Sequence, residues 1–168
     1  MSGKRLVLFA LFAMAGMTAV AVTSAAAAPK PQTIRLLEID NTFQPTGGWS
    51  GNTSPVVGQG FVSTGVFYKW AGAKRGAAVG HIQILCTVTV PVTFTETGGS
   101  GWFHCDVTAL LPGGKIQVSG PLNIATKTNH LPLVGGTGKY VGVQGYVATT
   151  NIGGDNSDAS ADVIHITN

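Results

Sequence analysis

Charge is scarce in this chain. Charged residues make up 10% of its 168 positions, and Asp and Glu together number seven. A chain that is 44% hydrophobic and so weakly charged is not a disordered acidic or basic tail. The formal net charge is +3, and setting aside Lys4 and Arg5 leaves about +1. No basic stripe with interleaved aromatics occurs, so a nucleic-acid partner has no support. Cysteine is limited to Cys86 and Cys105, with no second pair to build a zinc site. The four histidines, His81, His104, His130 and His165, are not spaced like metal ligands, so no metal site is assigned. No Gly-x-Ser-x-Gly elbow is present. Gly135-Gly136-Thr137-Gly138-Lys139 lacks the spacing and final hydroxyl residue of a phosphate loop. After Val22 no apolar run is long enough to cross a membrane, and no segment has an amphipathic helical period. Repeats and dividing linkers are also missing, so the length reads as one domain.

The amino-terminal end has a distinct layout. Met1–Arg5 is short and basic, Leu6–Val22 is apolar, and Thr23–Ala28 is made of small residues. This is the pattern of a cleaved secretory signal peptide; a transmembrane anchor is the rival reading. With cleavage after Ala26 or Ala27, residues 1–26 are the signal and residues 27–168 form one exported domain, placed outside the cell and off the membrane.

Export gives the two cysteines a meaning, because disulfides persist in oxidising compartments. Ile82, Ile84, Cys86, Val88 and Val90 alternate along one stretch, and Phe103, Cys105, Val107, Ala109 and Leu111 along another. Each cysteine falls on the more apolar face of its strand. The glycine-rich run Gly98–Gly101 joins the two, so the stretches read as a hairpin with Cys86 bonded to Cys105. A reactive thiol is the alternative, with no basic or helix-terminal setting in view.

The other segments also read as strands. Extended stretches are expected over Thr33–Thr42, Val56–Trp70, Lys115–Ile124, Leu131–Val134, Gly145–Ile152 and Ala159–Thr167. Phe43–Pro55 reads as a loop. Turns are expected at Ala71–Gly76, Pro112–Gly114 and Gly153–Ser157, and one helical turn fits within Gly135–Val143. Seven or eight short strands predict an all-β sandwich or closed barrel.

Within this acid-poor chain, Glu38 and Asp40 stand two apart on the first strand and point the same way. Turned into a barrel, they share a poorly solvated pocket in which burial and mutual repulsion keep one of them protonated, as acid–base chemistry requires. The alternative is an exposed acidic face near Lys30 and Arg35.

The stretch Lys115–Val147 carries V-S-G-P, then G-G-T-G-K-Y, then G-V-Q-G-Y-V. In this it resembles the allene oxide cyclase and dirigent protein superfamily. Upstream, Leu37-Glu38-Ile39-Asp40 is similar to a Glu-Ile-Asn segment on the first strand of the cyclases, with Asp40 standing at the asparagine. The resemblance implies an eight-stranded antiparallel β-barrel, commonly a homotrimer, around an apolar ligand cavity, with Tyr140 and Val141 plugging one end. It implies that Glu38, helped by Asp40, polarises the substrate, and that no cofactor is needed. Phe61 and Tyr68 are taken as ligand-binding side chains. Two functions follow: an exported, cofactor-free cyclase or isomerase acting on an apolar small molecule, or a non-catalytic dirigent-like barrel that binds a small hydrophobic ligand.

Overall fold

A computed structural model describes residues 30–71, 74–95, 98–153 and 159–168. The expected signal peptide lies outside the described residues. So do residues 154–157 of the turn expected at Gly153–Ser157, and residues 72 and 73 of the one at Ala71–Gly76.

Eight strands run in chain order: β1 (Gln32–Thr46), β2 (Gly60–Ala71), β3 (Lys74–Thr95), β4 (Gly98–Leu111), β5 (Gly114–Asn123), β6 (Thr128–Gly136), β7 (Gly145–Asn151) and β8 (Ala159–Ile166). Each pairs antiparallel with its neighbour, and β8 pairs with β1 to close the barrel. Among the described residues closure leaves no free sheet edge, which removes the usual route to strand-on-strand aggregation. Because side chains alternate along a strand, one face of every strand points into the barrel. The expected eight-stranded antiparallel barrel is the fold of this chain.

The cysteine hairpin has the register its alternation predicts. Cys86 lies directly opposite Cys105, the Cα atoms are 4.1 Å apart, and the sulfurs are bonded at 2.03 Å. Both side chains are buried inside the barrel. The alternation fails at one position. The β3–β4 register shifts between Val88 and Val90 and again before Thr93. Val90 is therefore 47% exposed, and Val92 is buried in its place. Pro91 lies in this irregular stretch; having no N–H, it could not donate to a regular ladder.

Other boundaries differ from the sequence expectation. Gly98–Gly101 is the start of β4, not a connection. β3 starts at Lys74, inside the expected Ala71–Gly76 turn. Val56–Gln59 precedes β2 as a turn, with the Gln59 amide donating to the Val56 carbonyl at 3.0 Å. Phe43–Thr46 continues β1 where a loop is expected.

One end of the barrel is plugged. Between β6 and β7 a single 3-10 turn, η1 (Gly138–Tyr140), buries Tyr140 in the hydrophobic core of the barrel. The expected partner Val141 is exposed; Val143 is buried instead. Gly138 sits at φ +60°, and a Cβ there would collide with the Gly113 carbonyl. Only glycine allows both the left-handed backbone and the close approach.

Candidate functional site

The opposite end is open. It leads into a cavity of about 790 Å³ lined by inward-facing side chains from all eight strands. Apart from Glu38, Thr149 and Asp162 its deeper wall is apolar, with Phe67, Ile82, Ala109, Val118, Leu131, Val147 and Ile164, and the Cys86–Cys105 disulfide forms part of it. At the mouth the wall divides. Phe43, Phe61 and Phe94 stand on the β1–β3 side, and Asn123, Thr126, Lys127, Asn129 and Asn151 on the β5–β7 side. The aromatic side is a ladder. Trp49 meets Phe43 edge-on at 5.8 Å, Phe43 stacks on Phe61 at 5.0 Å, and Phe61 meets Phe103 edge-on at 5.5 Å.

A bulge builds the β1 wall. Up to Asp40 the even positions Leu36, Glu38 and Asp40 face inward. The β1–β2 register then slips between Asp40 and Thr42, so Asn41 is an extra residue. Parity reverses, and Phe43 joins Asp40 on the cavity side. The Ser63 hydroxyl donates to the Thr42 carbonyl at 2.7 Å, and the Thr42 and Thr64 hydroxyls are 2.8 Å apart, which ties the bulge down. Opposite Asp40 stands Gly65. A Cβ there would come within 2.7 Å of the Ile39 carbonyl oxygen and 3.1 Å of Asp40 Oδ1, so glycine leaves the room this carboxyl occupies.

Glu38 lies inside the barrel and is only 6% exposed. Its hydrogen-bonded partners come from β8. Ser160 is directly opposite Glu38, and Asp162 is opposite Leu36 on one side and Thr149 of β7 on the other. The Ser160 hydroxyl donates to Glu38 Oε2 at 2.9 Å and lies 3.4 Å from Asp162 Oδ1. Asp162 is 3% exposed, shares a hydrogen bond with Glu38 and accepts one from Thr149. Three of the seven acids of the chain therefore line one cavity.

The electrostatics distinguish the two partners. Burial pushes the Glu38 carboxyl well above the usual range, the neighbouring Asp162 charge and hydrogen bond push it further, and Asp40 adds a smaller push; Ser160 opposes them. Asp162 is also raised by burial, but hydrogen bonds from Glu38, Thr149 and Ser160 oppose the rise. The same Glu38–Asp162 bond thus raises one acid and lowers the other. The shared proton belongs on Glu38, which donates it to the Asp162 carboxylate.

This arrangement has a cost in stability whose sign is fixed. The folded state holds a proton on Glu38 that the unfolded chain releases once pH exceeds the ordinary glutamate range. Stability is therefore full below that range and falls as pH rises towards the raised folded value. Glu38→Gln removes the titration while keeping a donor. Its Tm relative to the parent should rise by several degrees between about pH 5 and about pH 8, since a tenfold change in proton affinity is worth about 1.4 kcal/mol. Thermal melts across that range measure it, and a pH-independent difference would contradict the protonated pair.

The other sequence candidates divide. Phe61 lines the cavity, whereas Tyr68 is not among its lining residues: the Arg75 guanidinium lies 4.9 Å from its ring centroid, and its neighbour Phe67 takes the inner place. Sequence reasoning missed Asp162, although its signal was present. Ser160, Asp162, Ile164 and Ile166 share one face of β8, so burying the two isoleucines carries Asp162 inward.

No protein-family model matches the chain, and no curated protein matches it in sequence. Solved structures do match in shape. Pyocyanin demethylase superposes with a TM-score of 0.60 at 18% identity, covering 81% of this chain and 100% of that one. The pterocarpan synthase dirigent protein PsPTS1 gives 0.61 at 16%, covering 82% and 93%. The Diels-Alderase AbmU from Streptomyces koyangensis gives 0.58 at 15%, covering 84% and 72%. At these identities the likeness is one of fold: the barrel of the allene oxide cyclase and dirigent type.

Proposed function

We propose that this protein is a cofactor-free cyclase or isomerase acting on an apolar small molecule inside the barrel. One observation carries the reading: the Glu38 and Asp162 carboxyls, both buried and both within reach of the Ser160 hydroxyl, lie in the wall of an otherwise largely apolar cavity. A protonated carboxyl can donate to a substrate carbonyl or epoxide oxygen as negative charge develops there. The Asp162 carboxylate behind it stabilises positive charge on the substrate skeleton; the proton lent to the substrate oxygen returns to Glu38 as product forms, and Asp162 accepts the Glu38 hydrogen bond between turnovers. Asp40, in the same cavity, adds to that field. The apolar walls exclude water, which strengthens both effects. Structures described as Diels-Alderases share this fold and lend support.

The phenylalanine ladder at the mouth favours a second reading, a non-catalytic dirigent-like barrel that holds an aromatic or polyene ligand. Such a barrel needs only the apolar lining.

Export and assembly belong to the same proposal. The disulfide fits an oxidising compartment, reached after removal of residues 1–26. Leu85 and Val134 are 46% and 58% exposed and flank one groove on the outer wall, a surface suited to burial between subunits of a homotrimer. Native mass spectrometry on protein purified from its own host tests all of this together. The expected species is a trimer of chains lacking the signal, carrying a recurrent small unsaturated or aromatic molecule. A bare monomer at micromolar concentration would overturn the assembly and leave the ligand reading unsupported.

A further inference from the structure

We infer that the cavity selects a planar aromatic cation, such as a quaternised nitrogen heterocycle, over neutral or anionic molecules of the same shape. The inference rests on reading the cavity as a small-molecule site; it departs from the neutral apolar substrate of that reading by giving the ligand's flat apolar framework a delocalised positive charge.

Four ionisable side chains line the cavity among the described residues: Glu38, Asp40, Asp162 and Lys127. Lys127 is exposed at the mouth, where water screens its charge. Glu38 and Asp162 are buried, where a charge acts at short range through low dielectric. One proton held between two acids leaves a carboxylate at the inner wall. Asp40 lies on the same strand face as Glu38, and its charge adds to the same field. An anion entering this space is repelled, and a neutral molecule leaves the carboxylate without a counter-charge. Among the described residues no group of acids and histidines is arranged to hold a metal ion.

The aromatic walls supply the second requirement. Phe67 stands directly opposite Glu38 in the β1–β2 register and faces the same cavity. Phe43 and Phe61 stack 5.0 Å apart between that point and the mouth. Aromatic rings and carboxylates lining one cavity form a combination that binds delocalised cations, because the face of an aromatic ring and the carboxylate both present negative potential. The cavity volume of about 790 Å³ accommodates a fused tricyclic ring system.

Fluorescence titration of the disulfide-bonded protein with three dyes of one shape tests the inference at about pH 8, where acridine is neutral. The dyes are N-methylacridinium, acridine and acridine-9-carboxylate. N-methylacridinium should bind at least about tenfold more tightly than acridine, with the carboxylate weakest. Asp162→Asn and, at a less buried position, Asp40→Asn should each reduce the ratio of the N-methylacridinium affinity to the acridine affinity, with circular dichroism showing that both variants keep the barrel. Equal affinities, or tighter binding of acridine, would overturn the charge selectivity and leave the small-molecule reading standing. Binding of none of the three would overturn the inference and count against the cavity itself. A preference unchanged in both variants would overturn the assignment to these carboxylates.

Discussion

Glu38→Gln should lower turnover by about 100-fold or more while circular dichroism stays that of the parent barrel, the usual scale for loss of a general acid. The substitution keeps the shape and keeps a donor towards Asp162, but the amide cannot release a proton to substrate. A second variant separates chemistry from packing. In Asp162→Asn, Glu38 loses the negative neighbour and the acceptor that help to hold its proton. Its titration should move down towards the ordinary range, so the limb on which activity is lost with rising pH should shift to lower pH. A merely structural role for Asp162 would reduce activity without moving that limb. Glu38→Gln with unaltered turnover would end the catalytic reading in favour of the binding barrel.

Replacing both Cys86 and Cys105 with alanine should destabilise the domain by about 2–5 kcal/mol, the range for native disulfides of small secreted domains. For a barrel of this size that is a fall in Tm on the order of 10 °C. The bond closes a loop with a sequence separation of 19, and its sulfurs are also part of the cavity wall. The double variant therefore loses the constraint on the unfolded chain and leaves a void at the inner wall, which adds to the destabilisation. Chemical unfolding with and without reductant separates these contributions, since reduction alone removes the constraint without removing the sulfurs. Thiol labelling of the denatured, unreduced parent should find no free cysteine. An unchanged midpoint in the double variant would contradict the role assigned to the bond.

Much of this molecule follows from local pattern. Alternation along Phe103–Leu111 reports the inner face of β4 residue by residue, because a strand has a period of two and the barrel has one interior. The same alternation brings Cys86 opposite Cys105. Glycines around Tyr140 mark the turn that plugs the barrel, because their backbone approach and handedness exclude a side chain. Scarcity of acid makes Glu38 conspicuous, and its parity with Leu36 carries it inward.

Tertiary structure decided what local pattern could not express. A bulge at Asn41 reverses parity and brings Phe43 onto the cavity wall, and a register shift near Pro91 turns Val90 outward; both depend on how two strands pair. The partner of Glu38 depends on closure of the sheet. Ser160 and Glu38 are 122 residues apart along the chain and 2.9 Å apart in space, and Asp162 reaches Glu38 only because β8 returns to pair with β1. Asp40, two residues away, is the nearer acid in sequence, but the hydrogen-bonded acid partner of Glu38 is Asp162. A strand's own period determines which face a side chain takes; its neighbours across the barrel seam are determined by a pairing between the two ends of the domain, which no local window contains.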